Sequence, residues 1–145
     1  MFLSRIAITL VACAALCGIA AAATTATIVA PSTATWKPMP GFGSWQMAPI
    51  VGNPATAGAY YAYFLKVPAG GKVAPHFHRN TETVVVISGT LLVGIGDKMD
   101  VATMKALGPG SVASIPAGLH HYAMAKDAVV IELSGIGPDS TTFIK

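Results

Sequence analysis

Beyond Cys17 the sequence contains no cysteine. A chain lacking its first two dozen residues therefore has no means of forming a disulfide and must be held together by packing. Charge is also scarce, at 10% of residues against 53% apolar, and this balance excludes disorder driven by low hydrophobicity. The basic residues after Arg5 (Lys37, Lys66, Lys72, Arg79, Lys98, Lys105, Lys126 and Lys145) stand singly. Nothing in that spacing marks a stripe or patch for nucleic acid, and no nucleic-acid partner is expected. Arg79 is the only arginine past Arg5, so no guanidinium clamp for a dicarboxylate is evident. Internal repeats and long amphipathic helical patterns are absent too.

At the N-terminus, Met1 to Arg5 form a short positive start, Ile6 to Ile19 an apolar run, and Ala20 to Ala23 a block of small residues. This is the layout of a signal peptide over residues 1–23. The run is short for a bilayer span of about 20 residues and is interrupted by Gly18 and alanines, so no retained membrane span is expected. The protein is expected to be exported, to a periplasmic or extracellular location. Leu10-Val11-Ala12-Cys13 also resembles a bacterial lipoprotein box, which makes a lipid anchor at Cys13 the second outcome. Without Arg5 the formal charge falls from +3 to +2. Residues 24–44 read as a Thr/Ala-rich leader followed by an extended arm, and 45–145 as one domain. Two prolines and two glycines between Trp36 and Gly43 argue against regular structure there. Trp36 and Trp45 are expected to anchor this arm onto the domain rather than to stack on a ligand.

From Trp45 onward, β-branched runs alternate with turn residues. The runs are Gln46–Val51, Ala59–Val67, Thr83–Ile87, Leu91–Ile95, Val112–Ile115 and Ala128–Leu133. Such spacing points to an antiparallel barrel or sandwich. Asp97 to Leu107 is the one stretch with helical tendency and is expected to form at most one short helix.

Two clusters within this pattern carry chemistry. The first holds Gly70, His76, His78, Glu82 and Gly89; the second holds Gly110, Pro116, Gly118 and His121. Residues i and i+2 of a strand share a face, so His76 and His78 project together. Glu82 stands at the start of the next strand, where an antiparallel return would bring its carboxylate beside them. His121 must arrive from another strand. Three neutral imidazoles and a carboxylate are what borderline divalent metals bind, and they leave coordination positions open. Zn, Mn, Fe, Ni and Cu all suit such a set. His120 and Tyr122 should turn away from the face of His121, leaving His120 at the surface or rim as a weak candidate for proton transfer.

The clusters resemble the two sequence motifs of the cupin superfamily. Gly70, His76, His78, Glu82 and Gly89 match every position of G-x5-H-x-H-x3-E-x6-G. Gly110, Pro116, Gly118 and His121 match G-x5-P-x-G-x2-H-x3-N, whose final Asn is replaced by Ala125. That position is not a metal ligand in the family, so the departure should weaken a local turn and not the site. The flanks (Trp36 and Pro38, Gly52-Asn53-Pro54, Gly94 to Asp97, Gly135 to Pro138) are similar to small, exported, single-domain cupins of the cupin type 2 or anti-sigma-factor-like kind. The resemblance implies an all-β jelly-roll barrel with a divalent transition metal held inside by His76, His78, Glu82 and His121. It also makes a homodimer possible, with Trp36 to Phe42 reaching a partner subunit.

A metal with open positions inside a barrel can act as a Lewis acid, activate water or bind dioxygen. Tyr61 and Tyr63 share a strand face with Leu65 and Val67; if that face lines the barrel, a phenol there is a proton donor, and otherwise it is aromatic packing. Glu132 is either an orienting carboxylate or, in preference, a solvent-facing one. The expected lining (Val84, Val86, Leu91, Val93, Ile115, Met124) is apolar and suits a small, weakly polar or aromatic ligand. The sequence thus points to a metal-dependent enzyme of dioxygenase, isomerase or lyase type, with a non-catalytic metal or small-molecule binding or sensor protein as the alternative.

Overall fold

The computed structural model describes residues 25–145; the signal-peptide reading of residues 1–23 and the lipid site at Cys13 lie outside the described residues. The β-branched runs form the strands that their composition favours. One sheet has the order β1 (Lys37–Pro38), β2 (Gln46–Val51), β3 (Tyr60–Val67), β10 (Val129–Ile136), β5 (Glu82–Ser88) and β8 (Val112–Ile115). The other has the order β11 (Thr141–Phe143), β4 (Lys72–His78), β9 (His121–Ala125), β6 (Leu91–Ile95) and β7 (Lys105–Leu107). Every pairing is antiparallel. The crossovers between sheets make this a jelly-roll barrel, and alternate residues of both sheets fill the space between them. Leu65, Val67, Val84, Val86, Leu91, Val129, Ile131 and Leu133 form that core, all at most 6% exposed. Among the described residues no helix is long and apolar enough to cross a membrane.

The expectation of at most one short helix is met by a single turn, and two other local expectations are corrected. The helical stretch contracts to a 3₁₀ turn at Val101–Thr103, capped by the Asp100 carboxylate accepting from the Ala102 amide at 3.0 Å. Met104 turns extended, and Lys105–Leu107 joins the sheet opposite Leu91–Val93. Strand pairing and burial of Leu107 override a weak helical propensity there. The arm is also more regular than its prolines suggested. Lys37 and Pro38 pair with Met47 and Gln46 at the sheet edge, where a proline's missing N–H is tolerated. Finally, β5 does not return along β4. The two lie in different sheets, joined through Arg79 to Thr81, and Asn80 pins that corner by donating to the Ile136 and Pro138 carbonyls at 2.8 Å each.

The arm folds onto its own barrel. Trp36 lies against Phe64 with ring centroids 6.4 Å apart, carries the Lys66 ammonium 4.1 Å above its ring, and donates to the Pro31 carbonyl. At the position of the missing motif Asn, Ala125 is 1% exposed and bonded through its backbone to Gly70 and Gly71 at 2.8 Å each. The nearby turn is tied instead by Asp127, which accepts from the Thr90 amide at 2.7 Å.

Tyr122 packs on the outer side of its sheet, 1% exposed, under the Asp100–Thr103 turn. Its ring fills the space above Gly94, its direct cross-strand partner, and a Cβ on Gly94 would overlap it. We expect Gly94→Ala to destabilise the fold by about 1–3 kcal/mol in urea unfolding, as overpacking does. In a Tyr122→Leu background the same substitution should cost markedly less; equal costs would show that the ring is not what the glycine accommodates.

Candidate metal centre

The hairpin-like pairing of β4 with β9 sets His76 directly opposite His121. Their ring centroids are 4.2 Å apart, and His78, two residues along the same face, lies 5.0 Å from His76 and 5.3 Å from His121. All three are buried, and one nitrogen from each falls within 4.8 Å of the others. Glu82 enters from the opposing sheet, its Oε2 3.5 Å from His78 Nε2 and 3.9 Å from His121 Nε2. Donors about 2.0–2.2 Å from a shared metal stand roughly 3–4.4 Å from one another, and the two Glu82 distances fall in that range. The three histidines singled out in the sequence therefore converge, and the Glu82 carboxylate lies beside two of them. The carboxylate arrives across the barrel interior and not along a hairpin.

The imidazoles are oriented by their surroundings. His76 Nδ1 donates to the Ala74 carbonyl at 2.8 Å and His121 Nδ1 to the Leu119 carbonyl at 2.9 Å. Each bond fixes the tautomer that leaves the Nε2 lone pair free to ligate. His78 differs. Its Nδ1 is buried without a closed hydrogen bond, and the Asp139 carboxylate stands 3.5 Å away. Asp139, just past Gly137-Pro138, is a site residue that sequence reasoning missed. The closing Gly–Pro pair was visible, but nothing in spacing alone predicts that the corner after β10 folds back over β4.

Burial sets the electrostatics. It lowers His76 to about 4, against a partial opposing pull from the Ala74 bond, and it lowers His121 in the same way. These rings are neutral, as metal ligands must be. Burial raises Glu82 to about 7, partly offset by His78 and reinforced by Asp139. For His78 burial acts downward, but the Asp139 and Glu82 carboxylates outweigh it and the net shift is upward. Asp139 is pulled down, since His78 outweighs its own burial. Three lone pairs and a carboxylate facing one another in an apolar interior form a donor set that wants a cation. The donor chemistry therefore fits a divalent metal.

The cluster opens on a cavity of about 100 Å³. Val84, Leu91, Val93, Ile115 and Met124 line it as expected, while Val86 lies in the packed core instead. Tyr63 also lines the cavity. Tyr61, on the same strand face and stacked 5.9 Å from Tyr63, is turned toward Asp139. Burial raises both phenols, so they keep their protons. Trp45 packs against the core, as its anchoring role requires, and with Met39 and Phe42 it also forms part of the cavity wall. His120 does not enter the cavity. It stacks on Phe77 and contacts Asp97 at 2.6 Å on the outer surface. Glu132, flanked by the inward Ile131 and Leu133, is on the outer face.

Comparison with known proteins matches residues 55–144 to the family model described as Cupin. Germin-like protein subfamily T member 3 of Arabidopsis thaliana is 41% identical over 61 residues, which are 41% of this chain and 27% of that protein. The chain thus spans about a quarter of the length of that relative. Among solved structures, a candidate acetylacetone dioxygenase of Methylibium petroleiphilum PM1 superposes with a TM-score of 0.65 at 20% identity, over 86% of this chain and 84% of that one. The polyketide cyclase RemF of Streptomyces resistomycificus gives a TM-score of 0.63 at 18% identity, over 83% and 88%. At these identities the likeness shows the fold.

Two of the shifted groups, Glu82 and His76, oppose each other in stability. Glu82, raised, stabilises the metal-free fold at low pH, and that contribution is lost as pH rises through about 7. His76, lowered, contributes above its ordinary 6.5, and that contribution is lost as pH falls through about 4. Between these limits the slopes cancel in part. We expect metal-free Glu82→Gln to lose stability more steeply than wild type between pH 6.5 and pH 4.5, measured by urea unfolding. Parallel curves would show that burial does not hold the Glu82 proton.

Proposed function

This chain belongs to the cupin family, and from that premise we propose that it holds one divalent transition metal through His76, His78, His121 and Glu82 and acts on a small, weakly polar molecule in its barrel. The observation that carries this reading is the convergence of three buried imidazoles from paired strands, within 4.8 Å of one another, at the end of an apolar cavity. Three nitrogens and one oxygen suit Zn, Mn, Fe, Ni or Cu. When bound, such a metal supplies Lewis acidity and, for iron or copper, redox chemistry.

The chain's own residues supply the rest. His76 and His121 are pre-oriented by main-chain carbonyls, which lowers the cost of assembling the site. Glu82 brings a negative charge that offsets that of the cation. Val84, Leu91, Val93 and Ile115 exclude water and favour an apolar body on the ligand. Tyr63 keeps its proton beside the cavity and is placed as a hydrogen-bond donor to the ligand's polar group. The absence of arginine from the cavity lining disfavours a dicarboxylate or a sugar phosphate. A reaction of the dioxygenase, isomerase or lyase class is consistent with such a pocket, and the structural neighbours include a candidate dioxygenase and a cyclase. Export is part of the same proposal, and mass spectrometry of the chain from its native host should find its first residue near Thr24.

Metal content measured on protein purified without chelator or affinity metal tests the site. We expect about one metal per chain in wild type, lost in the His76→Ala, His78→Ala double variant. Wild type that is metal-free and takes up none of the five ions would sink the proposal. Iron or copper in the site predicts oxygen consumption with small carbonyl or aromatic compounds. Saturable binding of such compounds without turnover would replace the enzyme with a binding protein.

A further inference from the structure

Of the three clustered imidazoles, two are held by the backbone. His76 and His121 each donate Nδ1 to the carbonyl two residues upstream, at 2.8 and 2.9 Å. The main chain supplies those acceptors whatever side chains stand at Ala74 and Leu119. His78 has no such bond to its own strand, and the main chain of Ser140, next to Asp139, also reaches its ring. Its Nδ1 is buried and unsatisfied, and the carboxylate of Asp139 faces it at 3.5 Å. The Asp139 side chain is only 12% exposed. A buried imidazole N–H without an acceptor is costly, and a carboxylate is the strongest acceptor available.

The corner that carries Asp139 is built to keep it there. Its amide donates to the Pro54 carbonyl at 2.7 Å, and Asn80 holds the Ile136 and Pro138 carbonyls at 2.8 Å each. Two residues further on, Thr141 pairs with His78 itself as β11 joins β4. The Tyr61 phenol is near enough for the two groups to influence each other. The phenol finds room because β10 has Gly135 at that point; a Cβ there would stand 2.9 Å from the Tyr61 hydroxyl. The order Tyr61, Asp139, His78, cavity is therefore set by three separate elements: β3, the corner after β10, and β4.

We propose that Asp139 is the positioning residue of the metal centre: it accepts the Nδ1 proton of His78, aims Nε2 at the metal, and is itself held by the Tyr61 hydroxyl. The inference rests on the metal-binding reading above and deepens it. Carboxylates that orient a ligand histidine raise its basicity and fix its tautomer, and their loss typically weakens metal binding about 10–100-fold. The backbone-held His76 and His121 have no side chain whose replacement would have this effect. Asp139 is thus the side chain through which affinity is tuned, at a distance from the ligands in sequence.

The test is zinc affinity, measured by competition with a chromophoric chelator on the full chain, with the metal-free urea midpoint measured alongside. Wild type, Asp139→Asn, Asp139→Ala and Tyr61→Phe are compared with His78→Ala. Asp139→Ala should weaken zinc about 10–100-fold, Asp139→Asn less, and Tyr61→Phe by a few-fold. The metal-free midpoint of Asp139→Asn should stay close to wild type. Nitrogen-15 NMR of the imidazoles should show His78 losing its fixed Nδ1–H tautomer in Asp139→Ala, while His76 and His121 keep theirs. If wild type binds zinc and the Asp139 variants bind equally well, the positioning role is overturned and the metal site stands. If wild type binds another of the five ions in place of zinc, the same comparison is made with that ion; if it binds none of them, both fall. Weakening that tracks the loss of metal-free stability would make Asp139 a structural residue only, and that outcome also overturns the proposal.

Discussion

The constraint on which the structure depends is the burial of three imidazoles and a carboxylate in the apolar interior of the barrel. Groups of this kind are costly inside a protein unless they are paired, hydrogen-bonded or bound to a cation. Much of the fold around them meets that cost. Strand pairing sets His76 opposite His121, so two rings meet at the separation of a cross-strand pair. Their second nitrogens are satisfied by main-chain carbonyls two residues upstream, in β4 and in the turn before β9. Glu82 comes from the other sheet and closes the cluster from above.

Around this polar centre the barrel is hydrophobic, and the two features depend on each other. The apolar lining lowers the local dielectric, pushes His76 and His121 toward the neutral state and lifts Glu82. The same lining selects what can share the cavity. The segment ahead of the barrel takes part as well: Met39, Phe42 and Trp45 form part of the wall. Residues that looked like a tether are thus in a position to influence which ligand fits. Trp36, set against Phe64 and Lys66, anchors the arm further out.

Much of this was legible in the sequence because it follows from local rules. Period-two alternation placed His76 and His78 on one face, and turn residues delimited the strands. Tyr63, Leu65 and Val67 line the cavity, as their shared face suggested. Other features were not legible. Lys105 to Leu107 carry no strong strand signal, and the 3₁₀ turn gives way to β7 only because β6 has an open edge beside it. The supposed β4–β5 hairpin failed for a similar reason: nothing in Arg79-Asn80-Thr81 reveals that Asn80 will be captured by carbonyls more than fifty residues away. His120 and His121 are adjacent and chemically identical, yet one is a buried member of the cluster and the other a surface partner of Asp97.

The sequence by itself determined the ligand chemistry, the all-β architecture and the apolar character of the interior, because residue type, strand periodicity and turn composition are local properties. Only the tertiary structure decided how Glu82 reaches the histidines, that Trp45 belongs to the cavity wall, and that Asp139 stands behind His78. Those relations join strands of different sheets, or a corner to a strand far away in the chain. They depend on which edges pair and which faces oppose, and these follow from burying the whole set of apolar faces at once.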